Sequence, residues 1–130
     1  MVERIAFKGR TAEGVGSMQP EEFIKSIKSR ERRWIQRNSL QLRSLMDKIK
    51  EYRETDMKKP LKTHTREAVI LPAFVGLDFA IYNGKEFTPV HVTANMVGRR
   101  LGEFSYTTKR VQHSNPGIRA TRGSKFIAVK

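Results

Sequence analysis

The 130-residue chain has no cysteine, which removes disulfides, thiolate nucleophiles and cysteine-ligated zinc. It has no apolar run near the roughly 20 residues that a membrane-spanning helix requires. Its first residues, MVERIAFKGR, lack the apolar stretch of a signal peptide. A soluble, cytoplasmic protein with no membrane partner is the expectation. Hydrophobic residues are scarce at 38%, so one modest core in one domain is expected, with some length left extended. Acid is scarce as well: 13 Asp and Glu stand against 26 Lys and Arg. The resulting charge of +13 repels itself and draws the chain toward polyanions, nucleic acid above all.

That charge is unevenly placed. Residues 1–24 hold three basic and four acidic side chains, and residues 25–66 hold fourteen and five. Residues 67–98 hold one and three, and residues 99–130 hold eight and one. A near-neutral apolar block thus lies between two cationic ones. This order predicts a folded centre with cationic material on either side.

Gly9, Gly14 and Gly16 mark residues 1–19 as a flexible opening segment. MQPEEFIKSIKSRERRWI, residues 18–35, then reads as one helix. Pro20 suits its first turn, Glu21 and Glu22 complement the positive end of its dipole, and Phe23, Ile27 and Trp34 fall near one face. A second helix is expected from Ser39, which can cap it; Leu42, Leu45, Met46, Ile49 and Tyr52 form its apolar stripe. The basic residues occupy the other positions, giving a basic helical region over residues 20–63. KKPLKTHT breaks the second helix at Pro60 and reads as a linker.

The conserved-looking core is set at residues 64–108. Asn83-Gly84 between two alternating runs signals a hairpin with a two-residue type I′ loop. That loop pairs Leu77 with Val90, Phe79 with Thr88 and Val75 with Val92. Pro89 assigns its strand to an edge. The run AVIL, 68–71, is the candidate third strand, and ANMVGRRL after Thr93 is read as a short helix stopped near Gly102. Residues 109–130 read as an extended basic tail. The fold class is α+β: a small, about three-stranded, mostly antiparallel sheet with basic amphipathic helices N-terminal to it.

Reactive chemistry finds little support. His64, His91 and His113 have no metal-ligand spacing, Asp78 and Glu86 point to opposite faces of the predicted hairpin, and no nucleophile elbow or phosphate loop occurs. No metal, cofactor or small-molecule substrate is expected. The stretch NMVGRRLGEFSYTTKR, residues 95–110, is different. Gly98 and Gly102 permit a sharp turn or a close approach. Arg99 and Arg100, diverging from a short helix, can grip separate phosphates. Glu103, the last acid in the chain, suits a role in orienting an arginine or capping a backbone group.

This stretch resembles the signature of the universal small-subunit ribosomal protein nineteen family: Met-Val-Gly, two basic or polar residues, then Leu-Gly-Glu-Phe. Asn83-Gly84-Lys85 and Pro89-Val90 belong to the same pattern. The strong resemblance runs from about residue 64 to residue 110. The ending VQHSNPGIRATRGSKFIAVK and the long segment before the core resemble the archaeal and eukaryotic branch. The bacterial pattern places His-Lys at 99–100, Ala-Pro-Thr-Arg at 105–108, and Arg-x-Ser where this chain has Arg66-Glu67-Ala68.

The resemblance implies a non-catalytic constituent of the small ribosomal subunit head, bound to small-subunit rRNA beside protein thirteen. Its tail would reach toward the decoding region, with tRNA as a further contact. The residues expected to meet nucleic acid are Arg66, Lys85, Arg99, Arg100, Lys109, Arg110, His113, Arg119, Arg122 and Lys125. Asn83, Gly84, Gly98, Gly102 and Glu103 are expected to shape the motif. The alternatives are a duplex-DNA-binding nucleoid or chromatin protein, which net charge alone does not separate from an RNA binder, and a metal-dependent nuclease. The first has no recognisable reading helix and the second no clear acidic cluster.

Overall fold

A computed structural model describes residues 6–55 and 59–111. In chain order these form α1 (Ala12–Gly16), α2 (Pro20–Ser26), α3 (Ser29–Arg37), α4 (Ser39–Glu54), β1 (Leu61–Thr63), β2 (Asp78–Tyr82) and β3 (Phe87–His91). Three short 3-10 turns, Pro72–Phe74, Ala94–Met96 and Leu101–Phe104, complete the set. The architecture is α+β, with the helices N-terminal to a three-stranded sheet of order β1-β2-β3.

The expected single helix over 18–35 is two helices. Ile27 (φ −76°, ψ 166°) and Lys28 (φ −64°, ψ 153°) are extended. The break leaves the last carbonyls of α2 without intrahelical donors. Arg32 supplies them, donating to Ile24 O and Lys25 O, each at 3.0 Å, and to Ile27 O at 3.2 Å. The kink still delivers Phe23, Ile27 and Trp34 to the interior, where all are buried. α4 follows its predicted stripe, with Leu45 and Ile49 buried and Leu42, Met46 and Tyr52 packed against them. Asn38, not Ser39, stands at its cap position. The glycine-rich opening, expected to be flexible, contributes α1 and buries Val15 and Met18.

The hairpin differs from its predicted register by two residues. Phe79 pairs with Val90, Ile81 with Thr88 and Tyr82 with Phe87. The loop is therefore Asn83–Glu86, four residues rather than two, and only Gly84 has positive φ, at 104°. The Asn83 side-chain oxygen accepts the backbone N–H groups of Lys85 and Glu86, both at 2.9 Å. This Asx arrangement replaces the type I′ turn. A slip of two preserves the side-chain faces, so Phe79, Ile81 and Val90 are still buried. β3 is an edge strand, the position open to Pro89.

The third strand comes from the expected linker: β1 runs parallel to β2, pairing Leu61 with Phe79 and Thr63 with Ile81. AVIL lies elsewhere. Ala68, Val69 and Ile70 are fully buried and pair with the arginine segment instead. Ile70 N–H donates to Arg99 O (2.8 Å), Gly98 N–H to Ile70 O (3.0 Å) and Leu101 N–H to Ala68 O (3.0 Å). Val69 and Arg100 form the bridge between them. One apolar cluster unites helices, sheet and this pair, each large buried side chain contributing about 1.5–3 kcal/mol.

Candidate nucleic-acid interface

The pairing with Val69 changes the arginine segment. ANMVGRRL is not an α-helix; between two 3-10 turns the chain turns at Val97-Gly98, with Arg99 N–H donating to Met96 O at 3.1 Å, and becomes extended at Arg100. The bridge between Arg100 and Val69 leaves Arg99 exposed and Arg100 partly buried. Arg99 is 63% exposed and lies 3.8 Å from Glu103 Oε2. Arg100 is 29% exposed, its Nε 3.7 Å from Glu31 Oε1 on α3. Glu103 also caps the segment, its Oε1 accepting the Arg100 N–H at 3.4 Å. The two guanidinium groups therefore differ in kind: one is presented to solvent, the other joins two parts of the fold.

Gly98 adopts φ +81°, and a Cβ there would stand 3.0 Å from the Phe7 ring. What these glycines admit is thus protein. Gly102 approaches Arg66, whose guanidinium donates to three carbonyls, of Tyr82 (2.7 Å), Gly102 (3.0 Å) and Ser105. The donors of Arg66 are directed into the fold, a commitment with no local signature in the sequence.

Lys85, Lys109 and Arg110 are exposed and line one cleft of about 320 Å³ beside the hairpin tip. Glu86, Thr88, Phe104 and Tyr106 line it too, and Tyr106 is 82% exposed. Arg99 borders a separate depression of about 310 Å³ with Lys8, Lys28 and Asn95, which Glu31 and Glu103 line as well. Sequence reasoning missed Lys8, Lys28 and Tyr106; only the tertiary fold brings the two lysines to Arg99. The exposed faces of α3 and α4 add Arg30, Arg33, Arg37, Arg43, Lys48 and Lys50. His113, Arg119, Arg122 and Lys125 lie outside the described residues.

Among the described residues, the ion pairs engage only Arg10 (with Glu22), Arg99 and Arg100 from the whole set of lysines and arginines. The cationic surface is thus largely uncompensated by its own carboxylates. Among the described residues, no helix is long and apolar enough to cross a membrane and no group of three or more His, Asp or Glu is placed to hold a metal.

These features define a class: a basic α+β protein whose exposed lysines and arginines stand mostly outside ion pairs. The family model for ribosomal protein S19 matches residues 33–113. Similar proteins include the small ribosomal subunit protein uS19 of Saccharolobus solfataricus, 45% identical over 126 residues, covering 95% of this chain and 90% of the relative. Another is the small ribosomal subunit protein uS19 of Metallosphaera sedula, 41% identical over 130 residues and covering 98% and 93%. The chain belongs to the ribosomal protein S19 family, in its archaeal-type branch. It is a structural protein, not an enzyme. The matched region begins in α3, well before the motif at residues 95–110.

Proposed function

We propose that the chain is a structural constituent of the small ribosomal subunit, bound to small-subunit rRNA in the subunit head. Lys85, Lys109 and Arg110 form its principal phosphate contact at the hairpin tip, and Arg99, with Lys8 and Lys28, forms a second. Arg66 and Arg100 serve the fold that presents them. The basic tail with His113, Arg119, Arg122 and Lys125 continues the contact toward the decoding region, where tRNA passes. Protein thirteen of the head is the neighbouring protein, and the cytoplasmic ribosome is the location.

The observation that carries this reading is the near full-length similarity to archaeal proteins named small ribosomal subunit protein uS19. The convergence of three exposed cations on one cleft supports it. Lysine and arginine at such a site position the backbone of a nucleic acid rather than read its bases. Gel shift of the full chain at matched salt tests the proposal against its nearest rival. A small-subunit rRNA transcript should be held more tightly than duplex DNA of equal length. Equal affinities would transfer the reading to a duplex-DNA protein.

A further inference from the structure

The helices pack on one face of the sheet; the other face carries a different set of side chains. Strand alternation places Lys62 on this face from β1, Asp78, Ala80 and Tyr82 from β2, and Phe87, Pro89 and His91 from β3. Of these, Ala80 alone is buried, while Lys62, Asp78, Pro89 and His91 are exposed and Tyr82 and Phe87 are half-buried. His64, one step beyond β1 and exposed, completes an aromatic trio. Its ring centroid lies 4.7 Å from that of Tyr82 and 5.2 Å from that of Phe87. Tyr82 and Phe87 are themselves 5.2 Å apart. Lys62 Nζ stands 5.3 Å from the Phe87 ring centre.

We propose that this trio is a stacking platform for an unpaired RNA base, with Lys62 beside it to meet the adjoining phosphate. The inference rests on the RNA-binding reading and deepens it, since none of these four residues belongs to the arginine motif or to the cleft of Lys85, Lys109 and Arg110. Three rings in mutual contact from three separate segments make a rigid surface whose ordering is completed by folding. Bases stack on such surfaces without regard to sequence. The chemistry of the face favours a nucleic acid over a protein neighbour. Apart from Ala80 and Pro89 it offers no aliphatic side chain to anchor a partner. Lys62 is its one lysine or arginine, and the Asp78 carboxylate on the same face is engaged by His91, with Oδ1 2.7 Å from Nδ1.

The test uses the full chain with Tyr82→Leu plus Phe87→Leu, and separately His64→Ala. The Tyr82 hydroxyl donates to Gly84 O, so the exposed His64 provides a variant that leaves the hairpin untouched. Unfolding temperature verifies that each variant is folded. Affinity is measured across a salt series for a short single-stranded oligoadenylate RNA and for an RNA duplex of equal length. Loss of stacking should lower single-strand affinity by about 5- to 150-fold per base removed from the platform. The salt slope should not change, because the phosphate contacts remain. Duplex affinity should also hold, and Tyr82→Phe should bind like the parent chain.

Unchanged single-strand affinity in folded variants would overturn the platform and leave this face to a protein neighbour. If Lys85→Ala, Lys109→Ala and Arg110→Ala together still weakened binding, the RNA reading would stand without it. A parallel loss for both RNAs with a shallower salt slope would also overturn it, by showing an electrostatic contact. Failure of the parent chain to bind either RNA would overturn the platform and the RNA reading together.

Discussion

Gly102 and Arg66 clasp one another in both directions. The Gly102 N–H donates to Arg66 O at 2.7 Å, and the Arg66 guanidinium donates back to Gly102 O at 3.0 Å. A Cβ on Gly102 would lie 3.0 Å from both the Arg66 carbonyl oxygen and its Cβ. The obstacle includes backbone, so it cannot swing aside as the end of a flexible side chain can. Gly102→Ala should therefore destabilise the protein by about 1–3 kcal/mol through overpacking, read by urea unfolding. A neutral substitution would mean that the two segments separate readily.

The adjacent arginines should behave differently when replaced singly. Arg100→Ala removes the partner of Glu31, whose side chain is only 15% exposed and whose Oε2 is already buried without a hydrogen bond. Because Arg100 remains partly hydrated, a loss of about 1–2 kcal/mol is expected, below the range for fully buried pairs. Arg99→Ala should leave the unfolding midpoint unchanged and weaken RNA binding. Equal thermal effects from the two variants would contradict the inward and outward assignment.

The hairpin tip depends on Asn83 more than on a special two-residue turn. Its side-chain oxygen holds two N–H groups and Gly84 supplies the positive φ. Asn83→Val with Gly84→Val should cost about 1–3 kcal/mol, from lost hydrogen bonds and a strained φ. Asn83→Asp should retain the loop because its carboxylate can accept the same donors. Thermal unfolding separates the two, and equal stability of both variants would remove Asn83 from its role.

The cleft cations should act through charge. Replacing Lys85, Lys109 and Arg110 by alanine should leave the fold intact, since all three are exposed. The dependence of log affinity on log salt should become shallower by about one for each phosphate contact removed. An unaltered slope would mean that the RNA contact lies on the helices instead.

Much of this organisation was legible in the sequence. The apolar stripe of α4, the hairpin, the edge position of Pro89 and the cationic outer surface each follow from local periodicity or local chemistry. The missed features are those decided over distance. A register slip of two conserves every face, so alternation could not exclude it. A short polar run such as LKT becomes a strand only because β2 offers a parallel edge. AVI and GRR are each ambiguous alone, and their mutual pairing replaces the expected helix with a turn and a bridge. The same long-range pairing separated Arg99 from Arg100 and turned Arg66 inward, whereas residue type alone made all three equivalent. Arg32 likewise gives no sign in sequence that it closes the end of α2.

Sedimentation of a cell extract through a sucrose gradient, with immunodetection of this chain, tests the central claim most directly. A protein anchored to rRNA by several phosphate contacts and a stacked base should migrate with small ribosomal subunits at moderate salt and remain there after a high-salt wash. Migration with DNA, or release to the top of the gradient at moderate salt, would contradict a structural role in the subunit.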